Sequence, residues 1–202
     1  MTTRQRLDPA ERRGRLLDVG ARMFAARPYD DVRMEDVAER AGVSRALLYR
    51  YFPSKRDLFA GVYRQAADRL LERTRIERGV PLERQLAAGL DAHIDYFVAH
   101  RNTVLAANRT LAGDPVIQAV IADELSELRS RLLDAGEFDG AARELVSAAL
   151  TSWLVFVRTL CVDWLTHPAY SRAQLRAVCV GACLGALGAV TGPGGDAPAG
   201  AP

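Results

Sequence analysis

Residues 34–57 read Met-Glu-Asp-Val-Ala-Glu-Arg-Ala-Gly-Val-Ser-Arg-Ala-Leu-Leu-Tyr-Arg-Tyr-Phe-Pro-Ser-Lys-Arg-Asp, and this stretch decides the fold. It spells a short acidic helix, a glycine turn, a second short helix and the capped start of a third. Glu35 and Asp36 fall in the first turn of the first helix, where carboxylates complement the partial positive charge of the dipole. Val37, Ala38 and Ala41 form its inward stripe, and Ala38 is small enough to let the second helix cross closely. Gly42 stands where the helix must stop in a left-handed conformation. Ser44 is placed to N-cap the second helix, Pro53 ends that helix, and Ser54 with Asp57 begins the next as a capping box.

Two helices this short bury little surface by themselves. They suit a device that presents one helix to something else, and the major groove of DNA has the right width. Arg45, Ala46, Tyr49 and Arg50 lie on or near the surface opposite the core-facing leucine of Leu47 and Leu48. Ala46 holds nothing away from a base edge or a thymine methyl. Tyr49, Tyr51 and Lys55 have the donors and reach for phosphate oxygens, which position a protein without reading sequence.

The run closely resembles the DNA-binding domain of the TetR family of transcriptional regulators. The matching elements are Asp36-Val37-Ala38, Ala41-Gly42-Val43-Ser44, Tyr49-Arg50-Tyr51-Phe52 and Ser54-Lys55-Arg56-Asp57-Leu58-Phe59, and the match extends upstream through Phe24 and Tyr29. It covers about residues 9–62. Arg33 stands where the family usually has a capping Thr, Ala46 where Gly is common, and Pro28 where Gly often precedes the aromatic. The resemblance implies that Arg33, Ser44, Arg45, Ala46, Tyr49, Arg50, Tyr51 and Lys55 meet DNA, with Arg33 offering phosphate a charge rather than a cap.

Charge distribution agrees. Net charge is only +2, but residues 1–60 hold 13 Lys or Arg against 9 Asp or Glu, and the remainder 14 against 16. A basic head on a slightly acidic body fits a head that meets phosphates. Lys55 is the only lysine of the chain. The charged N-terminus has no apolar core of the kind a secretory signal needs, so a cytoplasmic protein is expected. Cys161, Cys179 and Cys183 lie in apolar surroundings and read as buried reduced thiols; a redox switch between Cys161 and another helix is the alternative. No His or carboxylate is spaced to complete a metal site with them.

Asp8-Pro9-Ala10-Glu11 predicts a helix start, with Leu16, Leu17, Gly20, Met23 and Phe24 facing inward until Pro28 stops it. Thr2 to Arg6 would be a short mobile arm. After Ser54 a long helix should run to about Arg78. Further helices are expected at about 82–99, 102–111, 115–135, 138–166 and 171–190, with no strand pattern. The fold class is therefore all-α. A three-helix head over residues 1–60 (motif about 33–52) is joined to a helical ligand-binding and dimerisation body over 61–190, and a disordered Gly/Pro tail occupies 191–202.

Helix 138–166 carries Trp153, Phe156, Val157, Leu160 and Trp164 as one broad stripe. Ala177 to Gly192 has no charge and contains Gly181 and Gly185 at a small-xxx-small spacing. A membrane span is the competing reading, but 16 residues rich in Ala and Gly fall short of the ~20 required. Packing against a second copy accounts for them better, with Leu160, Leu175, Val178, Gly181, Ala182 and Gly185 as interface candidates. In the resembled family the last two helices of each subunit form a four-helix dimer interface.

The resemblance also implies a ligand pocket in the body. His93, Tyr96, Phe97, Asn108, Trp153, Phe156 and Trp164 are its candidate lining, since they supply aromatic walls and a few polar anchors. Each has a plainer role open to it as core or surface. No Gly-rich phosphate loop, metal constellation or nucleophile motif is present, so neither an enzyme nor a bound cofactor is expected. The expected function is a homodimeric repressor released from a palindromic double-stranded DNA operator by a small molecule. Activation or ligand-assisted binding is the alternative; a protein-interaction scaffold would not need so many DNA-type side chains on one surface.

Overall fold

The computed structural model describes residues 8–73, 79–136 and 138–191, and among these the secondary structure is helical with no strand. In chain order the helices are α1 (Pro9–Ala26), α2 (Met34–Ala41), α3 (Arg45–Tyr51), α4 (Lys55–Arg73), α5 (Leu82–Ala99), α6 (Arg101–Leu105), α7 (Pro115–Ala135), α8 (Gly140–Thr166) and α9 (Arg172–Thr191). A 3-10 turn at Tyr29–Asp31 precedes α2, and α6 runs on into a π turn at Ala106–Thr110. The expected arm, the last turn of the helix after Ser54 (residues 74–78) and the tail beyond Thr191 lie outside the described residues.

The chain forms two compact units. The first comprises Met1–Asp68 with Ala99–Val120, the second Arg69–Val98 with Ile121–Pro202. Residues 99–120 thus cluster with the head, although the sequence placed them in the body.

In the first unit, α1 starts as its sequence dictates: Pro9 occupies the first turn and the Glu11 carboxylate accepts from the Asp8 amide at 3.1 Å. Leu16, Leu17, Met23 and Phe24 are buried. Gly61 lets α4 cross α1 closely, since a Cβ there would stand 2.8 Å from a Leu17 methyl. Phe24, Tyr29, Phe59 and Tyr63 make an aromatic cluster, with Phe24 and Phe59 edge to face at 5.0 Å. Such pairs add about 0.5–1.5 kcal/mol beyond their area. The 99–120 segment is tied in by two long-range contacts. The Asn102 amide donates to Ala25 O at 2.9 Å, and Arg56 pairs with Asp114 at 3.6 Å.

In the second unit, α8 and α9 pack along their length through Val146, Leu150, Trp153, Val157, Cys161, Leu175, Cys179, Cys183 and Leu187. The Trp153 indole donates to Cys179 O at 2.8 Å, and the Trp164 indole closes the following turn onto Tyr170 O at 2.8 Å. All three cysteines are free and buried. Burial pushes Cys161 up to about 12, and Cys179 and Cys183 up to about 11, so these thiols stay protonated and unreactive. Both α8 and α9 are long and apolar enough to cross a membrane by length and composition; α9 is longer than the apolar run read from the sequence.

Candidate nucleic-acid interface

The head is set by a few local devices. Gly42 closes α2 at φ 67°, ψ 36°, a left-handed conformation that a side chain would strain. Ser44 then caps α3, its Oγ accepting from the Leu47 amide at 3.2 Å. Val37, Ala38, Ala41 and Leu48 are buried between the two helices. With Leu48 fixed inward, Ser44, Arg45, Ala46, Tyr49 and Arg50 are all exposed.

This face is basic and phenolic. The Arg50 guanidinium lies 5.7 Å from the centre of the half-buried Tyr51 ring. Arg45 reaches across to α2, where its Nη1 donates to Glu35 Oε1 at 3.1 Å. Glu35 is held below the ordinary carboxylate range by its own backbone amide and by Arg45. Arg33 occupies the N-cap position of α2, exposed and with no side-chain capping bond, so it offers a charge and not a cap.

Lys55 departs from expectation. Its ammonium turns back onto the 3-10 turn, donating to Tyr29 O at 2.9 Å and Asp30 O at 3.3 Å, and lies 4.4 Å from the centre of the Tyr29 ring. These carbonyls end a turn whose partners the sequence could not show, 25 and 26 residues away. Lys55 is a strut joining α4 to that turn, and a free phosphate-seeking side chain is not what the structure shows. Ser54 and Asp57 also cap differently from a reciprocal box: the Asp57 amide donates to Ser54 Oγ at 3.1 Å, and that hydroxyl donates to the Asp57 carboxylate at 2.7 Å.

The seven pocket candidates scatter. His93, Tyr96 and Phe97 are brought together on α5, the His93 and Phe97 rings 4.0 Å apart. Trp153 is buried and bonded to α9, and Trp164 is half-buried and bonded to the turn after α8. Phe156 is 39 % exposed, so the single apolar stripe read along α8 is split between an inner and an outer face. Asn108 belongs to the first unit, in the π turn, and donates to Val104 O of its own helix at 2.8 Å. Of the dimer candidates, Leu175 is fully buried within its own protomer and is a core residue. Leu160 is half-buried, and Val178, Gly181, Ala182 and Gly185 are exposed.

Sequence reasoning missed a buried ion pair in the second unit. Arg158 Nη1 lies 3.3 Å from Glu124 Oε2, both side chains almost wholly buried. The guanidinium stands 5.8 Å from the centre of the Phe97 ring. Burial raises the Glu124 carboxyl against the opposing pull of Arg158. Its signal in the sequence was an arginine amid the apolar run of α8. Among the described residues no group of His, Cys, Asp and Glu could hold a metal ion.

Comparison with known proteins agrees with this geometry. The sequence profile of bacterial regulatory proteins of the tetR family matches residues 16–62, from the core of α1 into α4. The HTH-type transcriptional activator FasR of Mycolicibacterium smegmatis is 35 % identical over 97 residues, covering 47 % of this chain and 44 % of FasR. The HTH-type transcriptional repressor KstR of Rhodococcus jostii is 41 % identical over 75 residues, covering 37 % of this chain and 35 % of KstR. The chain thus spans about half or less of the length of these curated relatives. A tetR-family transcriptional regulator from Streptomyces coelicolor superposes with a TM-score of 0.76 at 26 % identity, covering 91 % of this chain and 84 % of that one. Profile, relatives and whole-chain fold converge: residues 16–62 match the tetR family of bacterial regulatory proteins, and the chain as a whole shares the fold of a tetR-family transcriptional regulator.

Proposed function

We propose that the chain is a transcriptional regulator, a cytoplasmic homodimeric repressor that leaves a palindromic operator when a small molecule binds its helical body. One observation carries the reading: the outer face of α3 exposes Ser44, Arg45, Ala46, Tyr49 and Arg50 on a helix whose opposite side is locked by Leu48. Arginine forks suit guanine edges, small residues admit close approach, and phenols suit phosphate. Arg33 and Tyr51 would flank that surface.

One such head makes few contacts, and two heads on one body reach useful affinity. A surface for the second copy is available. Leu145, Val155, Phe156 and Val178 are large apolar side chains left exposed on α8 and α9. Beside them on α9, Gly181, Gly185 and Gly188 have nothing within 4 Å of where a Cβ would be. A mid-helix glycine costs about 1 kcal/mol relative to Ala, and nothing inside the protomer calls for three of them. A second copy packed closely on this face accounts for both the glycines and the apolar exposure. Burial of charged Arg158 and Glu124 on the inner side favours that occupant over lipid.

The functional head is residues 1–60, buttressed by 99–120, and the body is the remainder to about 190. FasR is named an activator and KstR a repressor, so relatives work in both directions. Repression is the simpler reading, because a dimer seated on a promoter blocks it with no further surface. Ligand acts by shifting the population of body conformations. The shift passes to the head along α4, the helix that starts after Ser54.

Selection of genomic fragments by the purified chain tests the reading. The parent should enrich fragments sharing an inverted repeat, and Arg45→Ala with Arg50→Ala should abolish that enrichment. Equal recovery of all fragments by parent and variant would refute it.

A further inference from the structure

Two carboxylates open α2, and each is answered by an arginine from a different element. Asp36 Oδ2 accepts from Arg27 Nη1 at 3.3 Å, which ties α2 to the end of α1. Glu35 Oε1 accepts from Arg45 Nη1 at 3.1 Å, which ties α2 to the first residue of α3. This second pair does little for the fold. The Glu35 and Arg45 side chains are 48 % and 68 % exposed, and pairs this open add little stability because water screens them. Gly42, the Ser44 cap and buried Leu48 already set α3 against α2 without it.

What the pair does fix is the guanidinium of Arg45. Helical side chains lean toward the N-terminus of their helix, so Arg45 leaves the start of α3 in the direction of α2. The N-terminal residues of a helix seated in the major groove are also the ones that meet base edges. Glu35 engages one nitrogen, Nη1. A guanidinium is a rigid planar fork of N–H donors, so Nε and Nη2 keep theirs for a base. An unheld arginine on this surface would surrender its rotamer freedom on binding, and would be drawn to any phosphate, which carries no sequence information. Against Glu35 it is ordered beforehand, and the carboxylate offsets the charge that phosphates attract. Its own backbone amide, then Arg45 and Arg33, hold that carboxyl below the usual range, so it is ionised at neutral pH.

We propose that Glu35 is a positioning residue for sequence reading: it aims the Arg45 fork at a guanine edge in the major groove and withholds that charge from phosphates. Discrimination rises at one base pair of each half-site while attraction to DNA in general falls. This rests on the reading of α3 as a DNA-binding helix. Asp36 carries the same charge one residue further on but engages Arg27, so it is the natural control.

The test uses two duplexes: the genomic fragment most enriched by the parent chain, and a scrambled duplex of the same length and composition. Fluorescence anisotropy measures the affinity of the parent, Glu35→Gln, Asp36→Asn, Arg45→Ala and the Glu35→Gln, Arg45→Ala double variant for both. It is repeated with single base-pair substitutions through one half-site of the fragment. Arg45→Ala should identify its base pair, lowering discrimination there about tenfold or more. Glu35→Gln should lower discrimination at that same base pair about 2- to 10-fold, the cost of ordering one long side chain, and leave other positions as they were. It should also bind the scrambled duplex more tightly, with a salt slope steeper by about 0.9. Asp36→Asn should leave discrimination at the Arg45 base pair unchanged, and Glu35→Gln should not alter discrimination in the Arg45→Ala background. A Glu35→Gln effect spread evenly over the half-site, reproduced by Asp36→Asn, or persisting in the Arg45→Ala background would make Glu35 a charge and nothing more, and would overturn the proposal. A parent that prefers its fragment while Glu35→Gln or Arg45→Ala discriminates just as well overturns the proposal alone. A parent that binds both duplexes equally overturns the reading of α3 as a sequence-reading helix, and this inference with it.

Discussion

Replacing Lys55 by Met removes the ammonium and keeps an apolar stem of similar length, which isolates what the charge does. In the folded chain that ammonium makes a 2.9 Å bond to Tyr29 O, a longer one to Asp30 O, and a cation–π contact with the Tyr29 ring. One good charge-assisted bond contributes about 1.5 kcal/mol at the lower end of its range, fitting a partly exposed group. A cation over an aromatic face at such a site adds about 0.5–1 kcal/mol. The variant should therefore lose about 2 kcal/mol, a drop in Tm of about 4–8 °C for a chain of this size. The DNA response should be the opposite of a lost phosphate contact. Each such contact steepens the dependence of log affinity on log salt by about 0.9. Since the ammonium is already committed to carbonyls, Lys55→Met should leave that slope nearly unchanged, affinity falling only through a looser head. Thermal melting and DNA anisotropy across a salt series measure both. An unchanged Tm with a slope shallower by about one unit would refute the strut and restore Lys55 to the phosphates.

Acid titration reports on His93. Its folded-state value is depressed from 6.5 to about 3, so between those limits the unfolded chain binds a proton that the folded chain does not. The stabilisation is complete above about pH 6.5 and is lost as pH falls, at up to about 1.4 kcal/mol per pH unit; the difference in stability between parent and His93→Phe should follow that slope in urea titrations from pH 7 to 4.5, and a pH-independent difference would contradict it. Glu124→Ala should cost about 3–5 kcal/mol by stranding Arg158 in the interior, read as a lowered urea midpoint; a loss under 1 kcal/mol would mean the guanidinium finds water. Gly185→Leu meets open space within the protomer and improves helix propensity, so it should leave the protomer stable while weakening self-association. Sedimentation at micromolar concentration should show a dimer for the parent and monomer for the variant, and a dimer in both would remove α9 from the interface.

The head was legible in the sequence because its devices are local. Asp8 with Pro9, Gly42 and Ser44 each act within a few residues of themselves, and the bounds of α5 and α7 follow from Pro81, Pro115 and the breaks after them. What was not legible depends on partners distant along the chain. Lys55 finds carbonyls 25 and 26 residues away, Asn102 finds Ala25 across 77 residues, and Arg158 finds Glu124 across 34. Helical periodicity puts Phe156 and Trp153 on one broad stripe, but it cannot say which edge of that stripe a neighbouring helix covers. Leu175 reads as an interface residue for the same reason, and α8 covers it. The π turn at Ala106–Thr110 left no mark in composition at all.

Footprinting on a selected genomic fragment tests the central claim most directly. Two chains should protect two half-sites related by a dyad, their centres about one helical turn or a multiple of it apart on one face of the duplex, and Arg45→Ala should erase both protections together. Protection of a single half-site by one chain, or uniform coverage of the fragment that Arg45→Ala leaves intact, would contradict the account.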